Sequence, residues 1–272
     1  MINNFKNNTL IMGILNLSPD SFYDGERVQT VEYLKNKIKL LDNADIIDIG
    51  AESSRPGSKP ISNDIEIKRL DKFFDLQISK KYLSIDSYKP KVIKYCLDNG
   101  VNMINDISGG GNHYENIEIA KEYNVPICIM HMQKTPLNMQ DSPKYNNLID
   151  DIMLFFDKRI NYSIKINYDI DNLILDPGIG FGKTIDDNDS IIGNICRFKQ
   201  FGCKILIGLS RKSFLQFNSD NPIDRLYASI SMQAISVYNG ANIIRTHDVD
   251  KTIDSLNVID RMKKHGNTRI YQ

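Results

Sequence analysis

Short apolar runs alternate with helical patterns along the whole chain. The runs are LIMGIL (10–15), DIIDIG (45–50), LSID (83–86), MINDI (103–107), PICIMH (126–131), LILD (173–176), KILIGL (204–209) and NIIRTH (242–247). Most are nearly continuously apolar, the pattern of parallel strands buried on both faces. Helical periodicity fills the gaps. After the third run, Val92, Ile93, Cys96 and Leu97 form one apolar face, and Asn99-Gly100 supplies a stop. After the seventh, Ile223, Leu226, Ile230, Ala234 and Val237 recur at three or four, between Pro222 and Gly240. After the eighth, Val249, Ile253, Leu256 and Met262 do the same behind an expected Asp248 cap. The long gap at 145–168 predicts an extended fifth helix.

Eight strand–helix units in about 250 residues predict an α/β fold, a single (β/α)8 TIM barrel. A doubly wound open sheet is the alternative, because one misplaced strand changes the count. No Pro/Gly/Ser-rich linker divides the sequence, so residues 1–272 are expected to form one domain.

Charge and composition narrow the function. Lys+Arg and Asp+Glu both number 34, so no electrostatic footprint for nucleic acid or an anionic membrane is visible. No apolar run approaches the roughly 20 residues of a membrane helix. The start of the chain does not read as a signal peptide. Cys96, Cys128, Cys196 and Cys203 form no CxxC pair and are expected to be buried small hydrophobes in a reducing cytoplasm.

Polar residues collect where the runs end. The first leads into Asn16, the second into Glu52-Ser53-Ser54-Arg55-Pro56-Gly57, the third into Asp86. The fourth carries Asn105-Asp106 and the fifth ends at His131. The sixth ends at Asp176, the seventh at Ser210-Arg211-Lys212, the eighth at Arg245-Thr246-His247. In a parallel barrel all these ends open on the face where active sites are built. Single acids have simpler uses. Asp106, Asp248 and Ser87 are expected as caps or turn residues. Asp48, inside a strand, reads as a buried acid with a polar partner. His113 and His265 are expected in solvent. His131 either lines the site or packs beneath it.

Residues 175–184, LDPGIGFGKT, resemble a phosphate loop at their Gly-Lys-Thr end. A Walker loop needs glycine at position 177, where this chain has proline. The glycines at 178, 180 and 182 also fail the G-x-G-x-x-G spacing. Asp176 at a strand end suits a different task. A carboxylate there can accept paired hydrogen bonds from adjacent N–H groups of a flat heterocycle, as it does from a guanidinium. Asp86 and Asn105 could read other edges of the ring, and Lys212 its carbonyl. Arg55, Arg245 and His247 form a basic group near Asn16, suited to phosphates and a metal.

The chain resembles the dihydropteroate synthases along nearly its whole length. The residues that carry this are MGILNLSPDSFYDG (12–25), DIGAESSRPGS (48–58), SIDSYKPKV (84–92), NMINDISGG (102–110), MHMQKTPLNMQ (130–140), LDPGIGFGKT (175–184), IGLSRKSFL (207–215) and IRTHDV (244–249). The resemblance implies a cytoplasmic transferase of folate biosynthesis, commonly a homodimer. It would join 6-hydroxymethyl-7,8-dihydropterin pyrophosphate to p-aminobenzoate, releasing pyrophosphate. It further implies that Asp86, Asn105, Asp176 and Lys212 hold the pterin. Asn16 would bind Mg2+ with the pyrophosphate, which Arg55, Arg245 and His247 contact. Phe22, Ser54, Arg55, Pro56, Phe181 and Ser210 would surround p-aminobenzoate. Of these, Arg55, Asp86, Asp176, Lys212, Arg245 and His247 are the expected catalytic set. The chain departs from the family pattern at Ala51 (usually Gly), Ser54 (usually Thr), Gln133-Lys134 (usually a glycine-containing turn), Tyr23 and Glu26. A corrinoid methyltransferase of the related pterin-binding barrels is the alternative, and would not be expected to keep ESSRPG, SRKSF and RTHD together. A non-catalytic pterin-binding barrel would lose its second-substrate loops, which here look intact.

Overall fold

All eight apolar runs are strands, and they close on themselves. The computed structural model describes residues 9–18, 30–76, 81–217 and 219–265. Strands β1 (Leu10–Asn16), β2 (Ile46–Gly50), β3 (Tyr82–Asp86), β4 (Met103–Asp106), β5 (Ile127–Met130), β6 (Leu173–Asp176), β7 (Lys204–Gly208) and β8 (Ile243–Thr246) pair in parallel in that order, with β8 returning to β1. The open-sheet alternative is thereby excluded, and the (β/α)8 barrel stands.

Period-two alternation sorts the strand residues into two cores. One parity points out against the helices: Ile47, Ile49, Ile85, Ile104, Ile129, Leu175 and Ile207 belong to the large barrel–helix core. The other points into the barrel. There Leu10, Met12, Ile46, Met103, Cys128, Ile174, Leu206 and Ile243 form a separate apolar plug. Two residues further along, this inward parity turns polar at Asp48, Asn105, Asp176 and Arg245. The barrel is thus sealed below and polar above, at the carboxyl ends of its strands, where barrels of this kind build their active sites.

The helices are α1 (Val31–Lys39), α2 (Asn63–Phe74), α3 (Pro90–Asp98), α4 (Glu115–Glu122), α5 (Leu148–Lys165), α6 (Ile185–Gly193), the short α7 (Ile195–Phe198), α8 (Leu226–Tyr238) and α9 (Val249–His265). The α3 face is the expected one: Val92, Ile93, Cys96 and Leu97 are buried. Thr184 caps α6 in a reciprocal box with Asp187. That ends the phosphate-loop resemblance, because the Thr184 hydroxyl already serves a helix.

Two helical expectations need correction. The core side of α8 is Ser229, Gln233, Ser236 and Val237, so of the expected stripe only Val237 is fully buried. Tyr227, Ile235 and Tyr238 face outward, as does Ile223 on the preceding turn. Asp248 is more than a cap, since its carboxylate takes two bonds from Arg211, from Nε at 2.9 Å and from Nη2 at 2.6 Å. Cys96, Cys128 and Cys203 are buried, Cys196 partly so, and all four are free thiols. Among the described residues no helix is long and apolar enough to cross a membrane.

Candidate active site

Strand register gathers the site. Asn16 lies opposite Gly50, Gly50 opposite Asp86, and Asp86 opposite Asn105, so four strands present one row at the barrel mouth. Gly50 leaves room within it. A Cβ there would sit 3.4 Å from Asp86 Oδ2 and 3.6 Å from Asn16 Oδ1, so both oxygens border the same space.

Arg245 bridges the acids. Its Nε donates to Asp48 Oδ2 at 2.6 Å and its Nη2 to Asp86 Oδ2 at 2.7 Å. Asn105 Nδ2 donates to the same Asp48 oxygen at 2.9 Å. Asp48 is the expected buried acid, and its partners are two of the expected site residues. Burial raises the Asp86 pKa to about 7, with Arg245 pulling it down and Asp48 pushing it up.

Asp176 stands across the mouth. Its Oδ1 accepts the Gly178 N–H at 2.7 Å, and burial raises its pKa against the opposing charge of Lys212. The turn that follows requires glycine. Gly178, Gly180 and Gly182 have φ of +73°, +77° and +63°, and a Cβ on Gly178 would lie 1.9 Å from His131 O. Gln140 Nε2 and Tyr145 Oη hold the carbonyls of Gly180 and Gly182 at 2.8 and 2.7 Å. Phe181 is thereby set at the rim, where Lys212 Nζ lies 4.3 Å from its ring centre. Lys212 Nζ also donates to Ile179 O. Burial lowers its pKa to about 7, against the raising influence of Asp176.

Ser210 and His247 meet at a third corner. Ser210 Oγ accepts the His247 backbone N–H at 3.2 Å and lies 3.1 Å from its Nδ1. Ser54, Arg55 and Pro56 are carried by the loop between β2 and α2, with Arg55 and Pro56 exposed. Gly57 N–H of that loop reaches Pro136 O at 3.0 Å. Phe22, Tyr23 and Glu26 lie outside the described residues.

The simpler expectations also resolve. Asp106 is a turn residue, accepting from Ser108 N and Oγ, Gly110 N and Asn116 Nδ2. Ser87 Oγ accepts Lys89 N–H at 3.4 Å, as a turn residue does. His113 and His265 are exposed. His131 packs beneath the site, edge-on to Phe155 at 4.9 Å, with its Nδ1 3.1 Å from Lys183 Nζ. Lys183, expected only to lead into α6, is buried and donates to Phe181 O at 3.0 Å and His131 O at 3.2 Å. At the fifth turn, Lys134 adopts φ +59° where the family pattern has glycine. This costs roughly 1 kcal/mol; Lys134 Nζ bonds to Asp141 O in return.

Inward acids and an amide facing a buried lysine make a barrel mouth of the kind that suits a flat, hydrogen-bonding heterocycle; His247 beside it is held neutral, its pKa lowered by burial to about 3. The sequence pattern of the family described as pterin binding enzyme matches residues 12–247. Dihydropteroate synthase of Escherichia coli (strain K12) is 35% identical over 92% of this chain and 90% of that protein. The Clostridium beijerinckii enzyme of the same name is 37% identical over 90% and 91%. Among solved structures, Yersinia pestis dihydropteroate synthase with a sulfonamide drug superposes with a TM-score of 0.88 at 34% identity, covering 94% of this chain and 95% of that one. The Xanthomonas albilineans enzyme with 4-aminobenzoic acid gives 0.85 at 31%, covering 94% of each. The chain belongs to the dihydropteroate synthase family of pterin-binding enzymes, which serve folate biosynthesis.

Proposed function

We propose that this chain condenses 6-hydroxymethyl-7,8-dihydropterin pyrophosphate with p-aminobenzoate to give 7,8-dihydropteroate and pyrophosphate. The observation that carries this is the opposed pair of walls at the barrel mouth. Asp86 and Asn105 stand on one side, and Asp176 with Lys212 on the other. Those groups suit a flat ring whose N–H edge meets Asp176 and whose carbonyl meets Lys212. Lys212 would leave Ile179 O to do so.

Arg245, His247 and Arg55 meet the negative charge that grows on pyrophosphate as the C–O bond breaks. The methylene carbon becomes cationic, and the carboxylate of Asp176 on the pterin edge stabilises it. The aryl amine, held between Phe181, Ser210 and the β2–α2 loop bearing Ser54, Arg55 and Pro56, then forms the C–N bond and gives up one N–H proton to the departing pyrophosphate or to water. No side-chain nucleophile is needed; orientation and fixed charge do the work.

Asn16 Oδ1 is a hard oxygen donor beside Asp86. Among the described residues no three His, Cys, Asp or Glu side chains cluster as a self-sufficient metal site. Mg2+ commonly takes few protein ligands and completes its shell with phosphate oxygens and water, so this donor set fits it. Asn16 would hold the ion, which would supply charge neutralisation to the leaving group. The test is release of pyrophosphate from the two substrates. It is expected to require p-aminobenzoate and to stop on chelation of Mg2+. Pterin binding without any pyrophosphate release would overturn the assignment.

We further propose a cytoplasmic homodimer built on the outer face of α8. That helix buries serine and glutamine while displaying Ile235, Tyr238 and Tyr227, the last 81% exposed. A second copy would cover these side chains. Ile235→Glu with Tyr227→Glu should convert the dimer to monomer in light scattering; an unchanged mass would move the interface elsewhere.

A further inference from the structure

The loop between β2 and α2 is closed at its neck by a buried ionic cluster that the reaction itself does not use. Lys89, at the start of α3, does not cap its helix. Its ammonium turns under the loop and donates to Ile61 O at 2.7 Å, to Glu66 Oε2 at 2.8 Å, and to Glu52 Oε2. Three donors thus meet three acceptors. Glu52 Oε2 also accepts the Ile61 N–H at 2.9 Å, and Glu52 Oε1 accepts from Tyr88 Oη at 2.9 Å. Both the N–H and the C=O of Ile61 are therefore gripped, by the first residues of the loop and by the next βα unit. Arg69 Nη1 fixes the other strand of the neck through Ala51 O at 2.7 Å.

The cluster is well shielded: the side chains of Lys89, Glu52 and Glu66 are 11%, 10% and 1% exposed. Buried pairs of this kind commonly contribute little net stability, because desolvation offsets their attraction. Their geometry is specific nonetheless. Here it joins residues 52 and 61 and fixes the base of the segment between them, whose exposed tip at Arg55, Pro56 and Gly57 meets the loop after β5 through Gly57 N–H to Pro136 O at 3.0 Å.

We propose that Lys89 is a positioning residue for the second substrate: with Glu52 and Glu66 it clamps the neck of the β2–α2 loop and so holds Ser54, Arg55 and Pro56 over the p-aminobenzoate position. This rests on the assignment of that loop to p-aminobenzoate. A clamp of this kind acts on p-aminobenzoate and, through Arg55, on the pyrophosphate arm, but not on the pterin ring, whose reading groups sit on strand ends and on the loops after β6 and β7. Lys89 touches neither substrate.

The test is Lys89→Met, which keeps the stem and removes the charge. Amide hydrogen exchange across 52–61 should speed at least tenfold. The KM for p-aminobenzoate should rise at least tenfold, while the Kd for 6-hydroxymethyl-7,8-dihydropterin, which lacks the pyrophosphate that Arg55 meets, stays within threefold. Glu52→Gln should move the exchange rates and the KM the same way by less, and it serves if Lys89→Met fails to fold. Arg55→Ala, which leaves the neck intact, should raise the same KM without altering exchange at Ile61. If Arg55→Ala leaves that KM unchanged while Lys89→Met loosens the loop, the loop's substrate assignment falls and the positioning role falls with it, leaving only a structural clamp. Wild-type exchange and KM in folded Lys89→Met and Glu52→Gln, or a pterin Kd that worsens as much as the KM, would overturn the proposal.

Discussion

Arg245→Met is expected to abolish most turnover and to cost about 3–5 kcal/mol of stability at pH 8, the range for breaking a buried ion pair. The guanidinium lies between Asp48, which is fully buried, and Asp86. Methionine fills similar space but leaves two carboxylates facing each other without a cation. The pH dependence follows from the Asp86 shift. Its folded pKa is already raised from 3.8 to about 7, and Arg245 is the charge that opposes the rise. Without Arg245 it climbs further. Between the unfolded value and that higher one, the folded state holds a proton the unfolded state has lost. Stability therefore falls as pH rises across this window, and the variant should be closest to wild type at acid pH. Adding Asp48→Asn should restore part of the stability at pH 8 but not the pyrophosphate release. Activity should drop by ~100-fold or more, the usual scale for removing one preorganised charge from a transition state. Urea denaturation at pH 5 and pH 8 together with the pyrophosphate assay reads all three effects. A variant as stable as wild type at pH 8 would mean that the bridge does not hold the two acids.

The strands were legible because parallel strands buried on both faces read as apolar runs; their ends shift by no more than a residue or so. The active face was legible for a related reason. A strand that turns polar only at its last residues, as at Asp86 or Asp176, has carried that side chain to the barrel mouth. Partnership was not legible. Asp48 and Arg245 are 197 residues apart and meet only because β8 closes on β1. A signal existed in parity, since Asp48 shares its inward face with Ile46 and Gly50. The α8 stripe misled because periodicity reports that apolar residues share a side without saying which side faces in. Gln233 decides it: its amide is occupied by Thr246 at the end of β8 and by Thr252 on α9. Lys89 and Lys183 look like ordinary charged residues in sequence. Each is buried because acceptors from other elements surround its ammonium, and no local pattern encodes that.

Asp176→Asn should weaken pterin affinity by ~100-fold, about 2.7 kcal/mol, with the fold intact. The substitution is nearly isosteric, and the amide oxygen can keep the Gly178 N–H now bound to Oδ1 at 2.7 Å. The position of Oδ2 then carries an NH2 group. A heterocycle that offers two adjacent N–H donors would meet a donor where it needs an acceptor, and one bond becomes a clash of like dipoles. Stability should not suffer, because burial already disfavours the charge on Asp176 and a neutral amide relieves that cost. Lys212 should respond as well. The Asp176 charge is what holds its pKa up to about 7 against burial, so in the variant it should titrate lower. At pH 7 a smaller fraction of Lys212 would then carry charge toward the pterin carbonyl, and kcat should fall along with affinity. Raising the acidity of the assay would recover part of the Lys212 contribution and none of the Asp176 contribution. Calorimetric titration with the pterin at pH 6 and pH 8, beside a thermal melt, separates the two. Unchanged pterin affinity in a folded Asp176→Asn protein would remove the carboxylate from the pterin-reading wall.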